Sequence, residues 1–116
     1  MRFGELLHWQ WQGYAHTHQA RSNLLLHIVL VPFFLAGNVV LVSGVVLLSW
    51  CLVLAGIVAT VASIALQGRG HKVEANPPEP FTGVGNALLR IFLEQWITFP
   101  RFVLSGGWLH ALRSAL

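Results

Sequence analysis

The chain of 116 residues contains six histidines, and three of them occur in two short groups with amide and carboxyl side chains. Imidazole nitrogens and a carboxylate are suitable ligands for iron, zinc, copper or nickel. Amide groups beside such ligands can hold the imidazole rings through hydrogen bonds. The first group is His18, Asn23 and His27, and the second is Gln67, His71 and Glu74.

The spacing within each group fits one face of a helix. Asn23 and His27 are one helical turn apart, and the second group follows intervals of four and three residues, which defines one stripe of a helix. His27 lies about one turn inside a hydrophobic stretch, where burying an imidazole is costly unless it is paired or binds a metal. We therefore predict a metal site with ligands from His18, His27 and His71.

Further polar residues are candidates for the same site. His16 is an additional candidate ligand, although its side chain points away from that of His18 if this segment is helical. Glu74 is either a ligand or a solvated charge at a membrane surface, while Asn23, Gln67 and Glu74 are suited to orient the imidazoles. The alternative interpretation is that the histidines have a purely structural role.

Other classes of site find little support in the sequence. The chain has no aspartate, its serines lie in no G-x-S-x-G elbow, and its four glutamates are dispersed, which excludes a Ser-His-Asp triad and a carboxylate pair. Cys51, the only cysteine, cannot form an internal disulfide. The seven basic residues are scattered, so the net charge of +3 does not predict nucleic-acid binding.

The composition indicates that these residues are positioned by membrane helices. Hydrophobic residues make up 55% of the chain and charged residues 9%, and the mean hydropathy is +0.65, whereas soluble domains are about 25% charged. The stretch from Ser22 to Gly68 contains no Asp, Glu, Lys or Arg. It is long enough for two membrane spans of about 20 residues each.

We predict a transmembrane hairpin over residues 23–67. Its helices cover about 23–42 and 45–67, with a turn at Ser43 and Gly44. Arg21 precedes the first helix, and Arg69 and Lys72 follow the second, so these cations lie together at the open end of the hairpin. The positive-inside rule predicts that this end faces the cytoplasm. The two histidine groups then lie at the same face of the membrane.

The rest of the chain is predicted to flank the hairpin. Residues 1–22 form a polar, aromatic segment at the bilayer interface, and residues 68–85 form a loop interrupted by three prolines. Residues 86–116 form two short membrane or interfacial helices separated by Pro100. In the first of these, Arg90 and Glu94 are four positions apart and can support one helix face.

The predicted fold is therefore all-α. It is a small polytopic membrane helical bundle in which residues 1–116 form a single domain, with a central transmembrane hairpin and two shorter C-terminal helices.

The same motifs resemble those of the Mpo1-like (DUF962) membrane proteins. The resemblance rests on Tyr14 and the two histidine groups, on Pro32 within the apolar span, and on Gly70 beside His71 with a proline pair that follows Glu74. It extends from about Tyr14 to Gly107.

This resemblance implies an Fe(II)-dependent dioxygenase that uses O2 to remove one carbon from 2-hydroxy fatty acids in α-oxidation. It implies that His18, His27 and His71 hold the Fe(II), with His16 or Glu74 completing the ligand set. The implied location is the inner membrane in a bacterium or the endoplasmic reticulum in a eukaryote.

A 2-hydroxy fatty acid is amphipathic, so its tail can lie in the lipid bilayer while its polar head reaches the interface. Arg21, Arg69 or Lys72 are candidates to pair with its carboxylate. A homo-oligomer is compatible with such a small bundle, although Gly37 and Gly44 do not form a G-x-x-x-G motif. The alternative function is a non-catalytic membrane scaffold or a metal- or haem-binding module.

Overall fold

The computed structural model describes residues 2–115, which form helices joined by turns and one longer loop at residues 72–83 and contain no strand. The all-α prediction is therefore confirmed. A short 3-10 turn follows the first helix, and a π-helical turn joins the fourth and fifth. The helices are α1 (Phe3–Tyr14), α2 (Arg21–Val46), α3 (Trp50–His71), α4 (Val84–Leu93), α5 (Phe99–Leu104) and α6 (Gly107–Ser114), with the 3-10 turn at Ala15–Thr17 and the π turn at Glu94–Thr98.

The predicted hairpin is formed by α2 and α3. Both helices are long and apolar enough to cross a membrane, with mean hydropathies of 2.4 and 2.0 over their most apolar windows. Glycines let the two backbones approach closely, since a Cβ atom at Gly56 would lie 2.5 Å from the backbone nitrogen of Leu41. α2 also continues through Pro32 without interruption.

The turn of the hairpin differs from the prediction at Ser43 and Gly44. α2 continues to Val46, and the chain reverses at Leu47 and Leu48 before Ser49 caps α3 by accepting a hydrogen bond from the backbone N–H of Leu52. Gly44 lies inside α2 because it is a packing position: a Cβ atom there would be 2.5 Å from the backbone nitrogen of Val53.

The break predicted at Pro100 is also absent. A proline ring collides with the carbonyl four residues earlier in a regular α-helix, but here the π turn occupies those preceding residues and carries the chain into α5. The helical segment ends instead near Gly106, whose φ of +83° is the left-handed conformation that glycine adopts most easily.

The buried core lies where α1, α2 and α5 meet near one end of the hairpin. Its members are Tyr14, Leu24, Val31, Phe99 and Phe102. This packing places the end of α1 and the π turn beside the open end of the hairpin, where the histidines lie.

Candidate metal centre

Three histidines from separate parts of the chain meet at the open end of the hairpin. His18 follows the 3-10 turn, His27 lies in the second turn of α2, and His71 is the last residue of α3. The centroids of their rings are 4.7–4.9 Å apart, and the ring planes are close to perpendicular, at 79–89°. The structure thus brings together the three histidines that the sequence selects.

Glu94, in the π turn, is the fourth member of this cluster. Its Oε1 atom lies 3.5 Å from His18 Nε2 and 3.9 Å from His27 Nε2. One potential ligand atom from each of the four residues lies within 4.8 Å of all the others. This buried His3Glu cluster could hold a metal ion.

Hydrogen bonds to backbone carbonyls fix the tautomers of two of the histidines. His18 Nδ1 lies 2.8 Å from the carbonyl oxygen of Tyr14, and His27 Nδ1 lies 3.0 Å from that of Asn23. Because a carbonyl oxygen can only accept, each Nδ1 carries a proton, and in the neutral ring each Nε2 then keeps a lone pair. Both rings therefore present a lone pair to the centre of the cluster.

Three buried nitrogens of the clustered imidazoles have no hydrogen-bond partner among residues 2–115. These buried atoms are His18 Nε2, His27 Nε2 and His71 Nδ1. A buried polar atom without a partner is costly, and three lone-pair donors around one point are what a cation requires. The donor set therefore fits a metal ion.

The carboxyl group of Glu94 is ionised in this environment. Burial by itself would raise its pKa, but a hydrogen bond from His18 and the positive charges of the neighbouring imidazoles in their protonated form outweigh burial and lower the pKa to about 2. The hydroxyl of Tyr14 donates a hydrogen bond of 3.1 Å to Oε1. Burial raises the pKa of Tyr14, with a further contribution from the Glu94 charge, so the phenol remains a hydrogen-bond donor.

Glu74, one of the two residues that the sequence offers as a possible further ligand, lies outside the cluster. α3 ends at His71, so the helical stripe does not reach Glu74. Its carboxylate accepts hydrogen bonds from the backbone N–H groups of Gln19 and Ala20 and from the side-chain amide of Asn23, at 2.7–3.1 Å. Glu74 thus ties the end of α3 to the start of α2.

The other predicted contributors also take different positions. His16 is exposed and is not part of the His3Glu cluster, because the turn after α1 directs only His18 inward. The side chain of Gln67 contacts Gln95 and Ser63 rather than an imidazole. Asn23 does support His27, but through its backbone carbonyl.

A cavity of about 720 Å³ adjoins the cluster, and His18, His71 and Glu94 form part of its wall. Apolar lining residues include Trp9 and Phe81. The cavity is therefore suited to a ligand that has both an apolar part and a group able to reach the cluster.

The cations predicted to bind a carboxylate do not line this cavity. Arg21, Arg69 and Lys72 are exposed and lie outside it, whereas Arg90 lines it. The face of α3 that borders the cavity carries Gln67, Gly68 and His71 instead, so its cations point elsewhere.

Arg90 is held between aromatic rings and backbone carbonyls. Its guanidinium donates hydrogen bonds to the carbonyl oxygens of Glu79 and Pro80, at 2.8 and 3.1 Å. It also lies 5.0 Å from the ring centroid of Trp9 and 4.5 Å from that of Phe81. Arg90 thereby fixes the proline-rich segment as one wall of the cavity, and this role replaces the helix-face pair predicted with Glu94.

Glu94 is the member of the candidate metal site that the sequence did not predict. It was assigned to a helix face with Arg90, four positions earlier. One signal was available: Glu94 is the only acidic residue after Glu79, in a segment with few polar residues. Such an isolated carboxylate is more often functional than structural when a helix lies at a membrane.

No protein-family model, curated protein or solved structure matches this chain. The similarity to the Mpo1-like proteins therefore rests on the motifs alone.

Proposed function

We propose that this protein is an Mpo1-like, Fe(II)-dependent dioxygenase that removes one carbon from 2-hydroxy fatty acids in the membrane. The observation that carries the proposal is the cluster of His18, His27, His71 and Glu94, in which buried imidazole nitrogens without hydrogen-bond partners surround one point together with a carboxylate. The resemblance supplies the choice of iron and of substrate.

The donor set supports a redox-active metal as well as a structural one. It contains two histidines and one carboxylate, the ligand combination of many non-haem Fe(II) oxygenases, together with one further histidine. Fe(II) bound here would supply the redox chemistry that activates O2. The backbone carbonyls of Tyr14 and Asn23 keep the lone pairs of His18 and His27 directed at the metal position.

The cavity supports an amphipathic acid as the substrate. The His3Glu cluster at its wall is placed to receive the hydroxyl and carboxylate of a 2-hydroxy acid, and the apolar lining is suited to the alkyl chain. Arg90 is the only arginine or lysine among the described residues that line the cavity, beside Glu79 and Glu94, and is therefore the candidate partner for the carboxylate of such an acid. In the balanced reaction, the 2-hydroxy acid and O2 yield the carboxylic acid one carbon shorter, CO2 and water.

The hairpin supports a membrane location for this chemistry. Large apolar side chains on α2 and α3 are exposed, including Val29, Val42, Leu54 and Val58, each more than 60% accessible. Such a surface is suited to lipid rather than water. We place the open end of the hairpin at the cytoplasmic side of a bacterial inner membrane or of the endoplasmic reticulum, according to the cell type.

The competing function is a metal- or haem-binding module without turnover. The three imidazole rings are in mutual contact, with centroids 4.7–4.9 Å apart, so a porphyrin inserted between any two would displace the third. This arrangement favours a single metal ion over a haem.

An oxygen-dependent assay on purified protein tests the catalytic proposal. The protein is loaded with Fe(II) in detergent without oxygen and mixed with a 2-hydroxy fatty acid, and O2 is then admitted. We expect O2 consumption and the acid one carbon shorter in equal amounts from the wild type, with loss of both in His27→Ala. His110→Ala, which changes an exposed histidine outside the cluster, is the matched control. Metal-loaded wild type that leaves the substrate intact would favour the non-catalytic module.

A further inference from the structure

The π turn at Glu94–Thr98 places two consecutive polar side chains toward the hairpin. Glu94 joins the histidine cluster, and Gln95, next to it, is only 1% exposed. A π turn inserts an extra residue into a helix and shifts the direction of the side chains around it, and such turns often occur at functional sites. The direction of Glu94 therefore depends on what holds this turn.

A reciprocal amide pair holds the π turn against α3. Gln67 Nε2 donates to Gln95 Oε1 at 3.0 Å, and Gln95 Nε2 donates to Gln67 Oε1 at 2.8 Å. Gln67 also donates to Ser63 Oγ, whose hydroxyl donates to the carbonyl oxygen of Leu30 in α2. A continuous buried network thus runs from both helices of the hairpin to the π turn.

The amide pair connects the two segments that carry His71 and Glu94. Gln67 lies one helical turn before His71, and Gln95 directly follows Glu94. Neither amide contributes a ligand atom to the cluster. The pair therefore fixes the distance between the element that carries His71 and the element that carries Glu94.

Gln10, in α1, makes two hydrogen bonds near the π turn. Its amide nitrogen donates to the carbonyl oxygen of Arg90 at 2.9 Å, and its amide oxygen accepts a hydrogen bond from Thr98 Oγ1. Gln10 thus connects α1 to the last turns of α4, at Arg90, and to the end of the π turn, at Thr98, while the Gln67–Gln95 pair holds the π turn against α3.

We propose that Gln67 and Gln95 are positioning residues for the metal site, and that their amide pair directs Glu94 toward the three histidines. This inference rests on the metal site of the proposed function. Partners that orient metal ligands typically change metal affinity by about 10–100-fold when they are replaced. The amide pair therefore controls whether Glu94 acts as a ligand, while the histidines remain in place.

Titration of the metal-free protein with Co(II) in detergent tests this role without relying on activity. Co(II) affinity and its visible absorption bands report on the ligands, and thermal unfolding without metal reports on stability. We expect Gln95→Leu to lower both stability and Co(II) affinity, the latter by about 10–100-fold, with altered bands. Ser49→Ala, which removes the hydrogen bond that caps α3 at the turn end of the hairpin, away from the cluster, is the control and should leave affinity unchanged.

The double variant Gln67→Leu/Gln95→Leu separates positioning from packing. Replacing both amides leaves no unpaired partner between them, so stability should return toward that of the wild type. Co(II) affinity should stay low, because the π turn that carries Glu94 is then no longer held against α3 by the amide pair. Affinity that recovers together with stability, or Gln95→Leu with wild-type affinity and bands, would overturn the inference alone. A wild type that binds no Co(II) or Fe(II) would overturn the metal site and this inference with it.

Discussion

The hydroxyl of Tyr14 donates a hydrogen bond of 3.1 Å to Glu94 Oε1 across 80 positions of sequence. The same tyrosine accepts a hydrogen bond from His18 Nδ1 at its backbone carbonyl and stacks on the His18 ring, with centroids 3.8 Å apart. One residue at the end of α1 thus orients two members of the candidate metal site.

Tyr14→Phe should weaken metal binding without abolishing it. The phenyl ring keeps the stacking on His18, and the backbone carbonyl is unchanged, so only the bond to Glu94 is lost. We expect the Kd for Fe(II) or Co(II) to rise by about 10–100-fold, measured by titration of the metal-free protein. An unchanged Kd would mean that this hydrogen bond does not orient the carboxylate.

Glu74→Gln should affect stability more than metal binding. The Glu74 carboxylate accepts hydrogen bonds from Gln19, Ala20 and Asn23, and its loss should lower the free energy of unfolding by about 1–3 kcal/mol. Denaturation in detergent measures this change, and Glu79→Gln, at an exposed position, is the control. Loss of the metal with unchanged stability would instead show that Glu74 is a metal ligand.

Gly56→Ala should destabilise the hairpin. The added methyl group would lie 2.5 Å from the backbone nitrogen of Leu41, so α2 and α3 must move apart, at a cost of about 1–3 kcal/mol. Gly68→Ala, in the same helix with nothing within 4 Å of the new Cβ atom, should instead stabilise by about 0.5–1 kcal/mol. Thermal unfolding compares the two variants, and equal effects would contradict the close packing at Gly56.

Arg90→Lys should loosen the wall of the cavity while leaving the metal in place. Lysine cannot reproduce the planar contacts with the carbonyls of Glu79 and Pro80 or with the ring of Phe81. We expect wild-type metal content, a loss of about 1–3 kcal/mol in unfolding free energy, and weaker binding of a 2-hydroxy fatty acid. Loss of the metal would show that Arg90 acts on the cluster rather than on the cavity.

The sequence predicted the histidine cluster because helix periodicity and hydropathy determine most of its geometry. A charge-free stretch long enough for two helices must return to the side where it began, which brings His27 near His71. His18 lies only three residues before the start of α2, so it must also lie near this end of the hairpin. The same pattern was sufficient to predict an all-α fold.

Glu94 could not be found in this way, because its direction depends on a π turn that no periodicity predicts. Regular helix geometry assigns Glu94 to the same face as Arg90, four residues earlier. The prediction of a turn at Ser43 and Gly44 was wrong for a related reason. Glycine permits a chain reversal and close helix packing equally well, and only the contact of Gly44 with Val53 distinguishes the two.

The central claim is that His18, His27, His71 and Glu94 together bind one metal ion, and metal analysis of purified protein tests it most directly. Wild type, His27→Ala, Glu94→Gln and His110→Ala are reconstituted with Fe(II) under the same anaerobic conditions, and the iron bound per chain is measured. We predict one iron per chain in the wild type and in His110→Ala, almost none in His27→Ala, and weakened retention in Glu94→Gln. Equal iron content in all four proteins would contradict the account.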